Sequence, residues 1–172
     1  MSMSVSVVAV CTSPGKGTPK TPVPEALFIE GLGLQGDAHA GFAHRQVSLL
    51  ALESIEKMKE KGLSAVPGDF AENLTVQGLV LYELPVGTEL RVGSSVILKI
   101  SQIGKECHRK CGVYYRVGDC VMPREGVFAV VLRGGTVRPG DEIILLEKEP
   151  SCGAQGPARE GAVAPDNNQP AE

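Results

Sequence analysis

The chain has 172 residues, of which 42% are hydrophobic and 22% charged, with a formal net charge of −3. This is an ordinary globular composition, and its acidic balance supplies no basic field to gather nucleic acid. Aromatic residues make up 4% and Trp is absent, so the core must be aliphatic and base-stacking platforms are not expected.

The chain opens with "MSMSVSVVAVCTSPG", which has neither a basic leader nor an A-x-A-like cleavage site and reads as a first strand over Ser4–Val10. "TSPGKGTPKTPVPE" reads as a loop. The Gly-rich stretch "GLGLQGDAHAGFAHRQVSLL" turns apolar at Val47–Leu50, a second strand. In "ALESIEKMKEKG", Leu52, Ile55 and Met58 recur at helical spacing, with Glu and Lys on the opposite face and Gly62 placed to stop the turn. This predicts one helix over Ala51–Lys61. "GDFAENLTVQGL" is a loop leading to a short strand. "ELPVGTELRVGSSVILKISQIG" predicts two strands around a turn at Gly93–Ser95, and "GVFAVVLRGGTVRPGDEIILLE" two more.

The 21 Gly and 12 Pro favour short strands over long helices. The expected fold class is therefore mostly β, a closed or partly closed barrel with one main helix. Residues 1–147 form the expected domain, and 148–172, rich in Ala, Gly, Pro, Asn and Gln, an expected disordered tail. No segment reaches the ~20 apolar residues of a spanning helix. The expected setting is the cytoplasm, with the five Cys reduced.

Three segments carry side chains fit for chemistry. "GKECHRKC", Gly104–Cys111, holds two thiols and an imidazole among Lys105, Arg109 and Lys110. Cys107, Cys111 and Cys120, with His108, can be read as a zinc set. Cys107 can equally be a single reactive thiol, since neighbouring cations stabilise a thiolate, or a partly buried small hydrophobe. Cys11 and Cys152 look incidental. The second segment, Gly31–Gln46, places Asp37, His39, His44, Arg45 and Gln46 among glycines that permit close backbone approach, a set suited to a phosphate or a polar heterocycle. Gly31, Gly33 and Gly36 follow no clear strand and open no helix, so the dinucleotide fingerprint is rejected. In the third, "GDFAENL", Asp69 suits a turn role and Asn73 can face a ligand.

Taken together, "GDAHAGFAHRQVSLL", "GDFAENLTVQGLVLYELPVGTELRVG", "QIGKECHRKC" and "GDCVMPREGVFAVVLRGGTVRPGD" resemble, in that order, the stand-alone bacterial MOSC domain family, named for the C-terminal domain of molybdenum cofactor sulfurase. The resemblance covers roughly Ser4–Leu146, and Ala71 stands where that family commonly has Gly. It implies a β-barrel of the pyruvate-kinase-barrel type. It also implies a role for the thiol in the Q-x-x-x-x-C position, Cys107, as a persulfide sulfur carrier or a molybdenum ligand. The molybdenum cofactor (molybdopterin) would then lie among Asp37, His39, His44, Arg45, Asn73, Lys105 and Arg109. No pyridoxal phosphate domain accompanies this stretch. A sulfur or electron donor protein and molybdoenzymes or cofactor-biosynthesis proteins are the implied partners, with no nucleic acid and no membrane. A storage or transfer module without turnover and a zinc-stabilised domain are the alternatives.

Overall fold

The computed structural model describes residues 4–107 and 109–147; the expected tail at 148–172 lies outside them. Eleven strands are present among these residues: β1 Ser6–Thr12, β2 Thr21–Val23, β3 Ala26–Ile29, β4 Gly33–Leu34, β5 Val47–Ala51, β6 Leu74–Gln77, β7 Glu89–Val92, β8 Val96–Ile103, β9 Val127–Arg133, β10 Gly135–Val137 and β11 Ile143–Leu146. Helix α1 spans Leu52–Glu60, and two short helices, α2 Gly112–Val117 and α3 Met122–Glu125, follow the cysteine segment. No helix among the described residues is long and apolar enough to cross a membrane.

Eight strands form one sheet in the order β11-β7-β8-β9-β5-β6-β1-β2, and three form a second, β10-β3-β4. Both sheets are open, which corrects the expectation of a closed barrel. The large sheet curls: Val7 N–H donates to the Asp141 carbonyl at 2.8 Å and Gly140 N–H to the Val7 carbonyl at 2.7 Å. Ile143 N–H adds a bond to the Val5 carbonyl at 2.9 Å beside the isolated bridge Ser6–Glu142, but β1 and β11 do not pair as a full ladder.

Alternation explains the packing. In β8, Val96, Leu98 and Ile100 are fully buried while Ile97 and Lys99 are partly exposed. They join Val7, Val10, Leu49, Leu74, Leu90, Val92 and Val131 in the main core. β5 is different, because all five of its residues are buried. It pairs parallel with β6 and antiparallel with β9. A parallel neighbour requires a crossover, and α1 supplies it. Leu49 faces the main core, whereas Leu50 faces a second cluster with Ile55, Met58, Phe70, Cys120, Met122 and Phe128. Ile55 and Met58 of the apolar stripe read from the sequence are fully buried, while Leu52 is only partly so. Gly62 takes a φ of 92° just beyond the helix, the left-handed geometry of a stop.

A polar lattice pins α3 against α1. Glu125 Oε1 receives Lys57 Nζ at 2.9 Å, and Ser54 donates to Oε2. Asp119 accepts from Lys61 and Arg124, and bonds from Arg124 and Lys61 hold its carboxyl well below the usual range. Strands β2 to β4 and β10, and helices α2 and α3, are elements the sequence reading did not resolve.

Candidate functional site

The segment between β4 and β5 is a chain of tight turns: Ala40 N–H bonds to the Asp37 carbonyl, Phe42 N–H to His39, and Arg45 N–H to Phe42. At its start Asp37 is buried. Its carboxylate accepts Lys20 Nζ at 2.7 and 3.0 Å, Ser13 N–H at 3.0 Å and His39 N–H at 3.0 Å. Burial alone would raise its pKa; the bonds from His39, Lys20 and Ser13 outweigh that and hold the carboxyl well below its ordinary value.

Lys20 is 3% exposed and also lies 3.0 Å from His39 Nδ1. An ammonium can only donate, so Nδ1 accepts and the ring hydrogen sits on Nε2. The opposite tautomer would point an N–H at Lys20 and reach Asp37 Oδ2 only across 3.6 Å, beyond a good hydrogen bond. At the end of the segment Gln46, also buried, donates to the Gly31 and Ala43 carbonyls and accepts from Val131 N–H.

Opposite this loop, β8 ends at Ile103 and the chain turns at Gly104, with φ 81°. A Cβ there would lie 2.5 Å from the Pro123 carbonyl oxygen, so the close approach to α3 requires glycine. Gly104 N–H and Lys105 N–H bond to the carbonyls of Gly126 and Met122. Gln102 links the two sides, pairing its Oε1 with His44 Nε2 at 2.9 Å and donating to the Gly104 carbonyl at 2.8 Å.

Two adjoining cavities result. An open groove of about 750 Å³ is lined by His44, Arg45, Gln102, Lys105, Cys107 and Pro123, among others. A smaller pocket of about 100 Å³ lies beside it, lined by His39, Phe42, Arg45, Ser48, Ala71, Lys105, Met122 and Phe128. Arg45 and Lys105 border both. Among the described residues, Arg45 Nε and Ser48 Oγ are buried without a hydrogen-bond partner. Such groups are uncommon in native interiors and call for an explanation.

The family model described as MOSC domain matches residues 36–144. The chain belongs to the MOSC domain family. No curated protein matches it. Among solved structures, the YuaD protein from Bacillus subtilis superposes with a TM-score of 0.68 at 20% identity, covering 82% of this chain and 94% of that one. YiiM from Geobacillus stearothermophilus gives 0.62 at 19% identity, covering 83% and 75%. YiiM from Escherichia coli gives 0.61 at 22%, covering 86% and 71%. At these identities the likeness establishes the fold.

In this MOSC domain, His39, His44, Arg45, Lys105 and Cys107 border the two adjoining cavities. Asp37 and Asn73 do not. Asp37 is consumed by the Lys20 ion pair behind His39. Asn73 is fully buried; its Oδ1 accepts Ser48 N–H at 3.0 Å and its Nδ2 donates to the Cys11 carbonyl at 3.1 Å. It thus ties β1 to β5 and sets Ser48 in place. Arg109 is exposed and borders neither cavity. Asp69 accepts Val66 N–H in a turn, as expected.

The cysteines separate clearly. Cys107 and Cys111 are exposed, and Cys11 and Cys120 are buried. Burial pushes the Cys11 thiol up to about 12, aided by Glu72, and burial also raises Cys120, with Cys111, Cys107 and Asp119 lesser causes. Among the described residues no three His, Cys, Asp or Glu side chains gather as a metal would require; His108, the fourth member of the zinc set read from the sequence, lies outside those residues.

Lys20, Ser48 and Glu72 escaped the sequence reading. Glu72 is fully buried and accepts Gly68 N–H at 2.6 Å, Phe70 N–H at 3.1 Å and Thr75 Oγ1 at 3.1 Å. It organises the loop that carries Ala71 to the pocket. Ala71 is the one non-glycine residue with positive φ, 62°, among those described. The one available signal was its place in a pattern where the family commonly has Gly.

Proposed function

We propose that this MOSC domain binds the molybdenum cofactor in the groove beside Cys107, and that the Cys107 thiol acts there as persulfide sulfur carrier or as metal ligand. The observation that carries the reading is an exposed thiol at the edge of a 750 Å³ groove. That volume falls in the range of small-molecule sites, about 300–1,000 Å³.

The donor set fits such a group. A thiolate is a soft ligand for a heavy metal and a strong nucleophile toward sulfur. Arg45 and Lys105 offer cationic donors to the anionic parts of the cofactor, and His44, fixed by Gln102, offers an imidazole at the same rim. The orphaned Arg45 Nε and Ser48 Oγ are polar groups in need of a partner. When bound, the cofactor would supply a metal centre able to accept sulfur or exchange electrons. Cys107 would hold the sulfur or the metal, Arg45 and Lys105 would bind and orient, and Phe42, Met122 and Phe128 would keep water from the inner wall. A separate protein would deliver sulfur or electrons, and molybdoenzymes or cofactor-biosynthesis proteins would be the clients.

The test is purification from a host that makes the cofactor, followed by metal and pterin analysis. Molybdenum and pterin in equal amounts, with the metal lost in Cys107→Ser, are expected. Folded protein that carries neither would overturn the reading.

A further inference from the structure

The small pocket beside the groove has a composition of its own. Every polar side chain lining it is a donor or can donate: His39, Arg45, Ser48 and Lys105. Among the described residues no carboxylate lines it. Two of these donors, Arg45 Nε and Ser48 Oγ, are buried with no partner, and Ser48 as a residue is 4% exposed.

The third is set by chemistry behind it. Lys20 Nζ occupies His39 Nδ1 at 3.0 Å, so the hydrogen the ring can offer the pocket is the one on Nε2. Asp37 is saturated by Lys20, Ser13 and the His39 backbone and does not draw that imidazole away. The remaining wall is apolar, made by Phe42, Ala71, Met122 and Phe128. Donors in a dry wall interact more strongly with charge than donors in water. The cost of leaving them unpaired is correspondingly high.

At about 100 Å³ the pocket is well below the ~300 Å³ at which drug-sized sites begin, so it has room for a group of a few heavy atoms. Several donors, no carboxylate and a small volume favour a compact acceptor-only anion. We infer that this pocket is a binding site for a tetrahedral oxyanion group, held by His39 Nε2–H, Arg45 Nε–H, Ser48 Oγ–H and the Lys105 ammonium. The group is either a free oxyanion or the phosphomonoester end of a larger molecule whose body lies in the adjoining groove. In the latter case the inference deepens the function proposed above and rests on it; in the former it stands alone.

Inorganic phosphate and phenyl phosphate are the probes, each titrated into the full chain by calorimetry and by amide chemical shifts at fixed ionic strength. Saturable binding of phosphate is expected, with shifts centred on His39, Arg45, Ser48 and Lys105. Ser48→Ala and Arg45→Lys, which each remove one of the orphaned donors, should weaken it about tenfold. Lys59→Ala removes an exposed cation on α1 that lines neither cavity and should change nothing. Phenyl phosphate binding more tightly than phosphate identifies an ester whose body extends into the groove. Phosphate binding equally or better identifies a free oxyanion.

Absence of saturable binding by folded wild-type protein overturns the inference. So does equal weakening in Lys59→Ala, which would mean diffuse surface attraction. The two readings fail separately. Protein that binds phosphate but retains no cofactor breaks the cofactor reading alone. Protein that retains cofactor but shows no phosphate response breaks this one alone.

Discussion

The walls of the two adjoining cavities are built on opposite principles. Behind the small pocket, Lys20 and Asp37 form a buried cluster against the inner edge of His39, in which every hydrogen-bonding direction but His39 Nε2 is taken. Along the groove, Cys107 stands exposed on a segment fastened to the end of α3 by two backbone bonds, from Gly104 and Lys105, and braced by a bond from Gln102 to the Gly104 carbonyl. The first wall fixes where a donor points and which ring nitrogen carries its hydrogen. The second leaves a nucleophilic atom free to meet a partner. A carrier thiol must reach both a donor and an acceptor of sulfur, whereas an anion site gains from donors that do not move. The contrast is therefore what the proposed chemistry asks of the two walls.

The largest effect should come from breaking the buried cluster. Lys20→Met leaves Asp37 as an uncompensated buried charge, and loss of one partner from such a pair costs about 3–5 kcal/mol. Thermal melting of the variant at neutral pH should show a large drop or no cooperative transition. A melt like the parent's would mean that Asp37 does not depend on the ion pair and that the rigid wall is not rigid for this reason.

The same cluster sets a pH dependence. Asp37 has a folded pKa below its unfolded value of about 3.9, so on acidification the unfolded chain takes up the proton first. The stabilisation is complete above about pH 5 and is lost as pH falls through 3.9 toward the lower folded value. Its limiting slope is about 1.4 kcal/mol per pH unit. Asp119 is also depressed, but it is exposed to solvent, and salt screens exposed pairs. Carbon NMR titration of the Asp37 carboxyl in high salt isolates it. A midpoint at or above 3.9 would show that the bonds to Lys20, Ser13 and His39 do not hold the charge.

A smaller effect sharpens the loop between the walls. Ala71 holds a φ of 62°, a conformation that costs a residue with a Cβ roughly 1–2 kcal/mol. Glycine removes that strain but loses about 0.5–1 kcal/mol more in chain entropy. Ala71→Gly should therefore stabilise by about 1 kcal/mol or less, measured by denaturant midpoint, and should widen the small pocket by one methyl. A clear destabilisation would place more weight on the methyl's packing than on the backbone.

The regularity of each segment decided how much could be read from the sequence. β1, β5 and β7 to β9 and the stripe of α1 follow from alternation or helical spacing that solvent and core impose directly. β2 to β4 and β10 span two to four residues each, too short for a period to show. Openness of the sheet depends on whether β11 and β1 form a full ladder, a contact between chain ends that no local pattern records. At the site, imidazole, guanidinium, ammonium and thiol announce themselves by type, which is why His39, His44, Arg45, Lys105 and Cys107 were legible. Ser48 hid inside an apolar strand. Lys20 hid because lysine is almost never fully buried, and Asp37 and Asn73 misled because a polar residue in a turn looks the same whether its partner is a ligand or its own backbone.

The smallest effect on stability, and the clearest on chemistry, belongs to Cys107. The thiol is exposed and bonded to nothing that the fold requires, so Cys107→Ser should shift the denaturant midpoint by less than about 0.5 kcal/mol. Alkylation separates the thiols kinetically. Cys11 and Cys120 are buried and their thiols are pushed up, so at neutral pH they lack both access and thiolate. Cys107 and Cys111 should react first under limiting reagent and Cys11 last, as read by peptide mass spectrometry. Incubation with a sulfane-sulfur donor then distinguishes the two exposed thiols, because the groove borders Cys107 and not Cys111. Persulfide should accumulate on Cys107, and Cys111→Ser should leave that loading intact. Loading confined to Cys111, or a Cys107→Ser variant that unfolds, would reverse the assignment of the open wall: the exposed thiol would then be a structural part, and the reactive one would lie outside the groove.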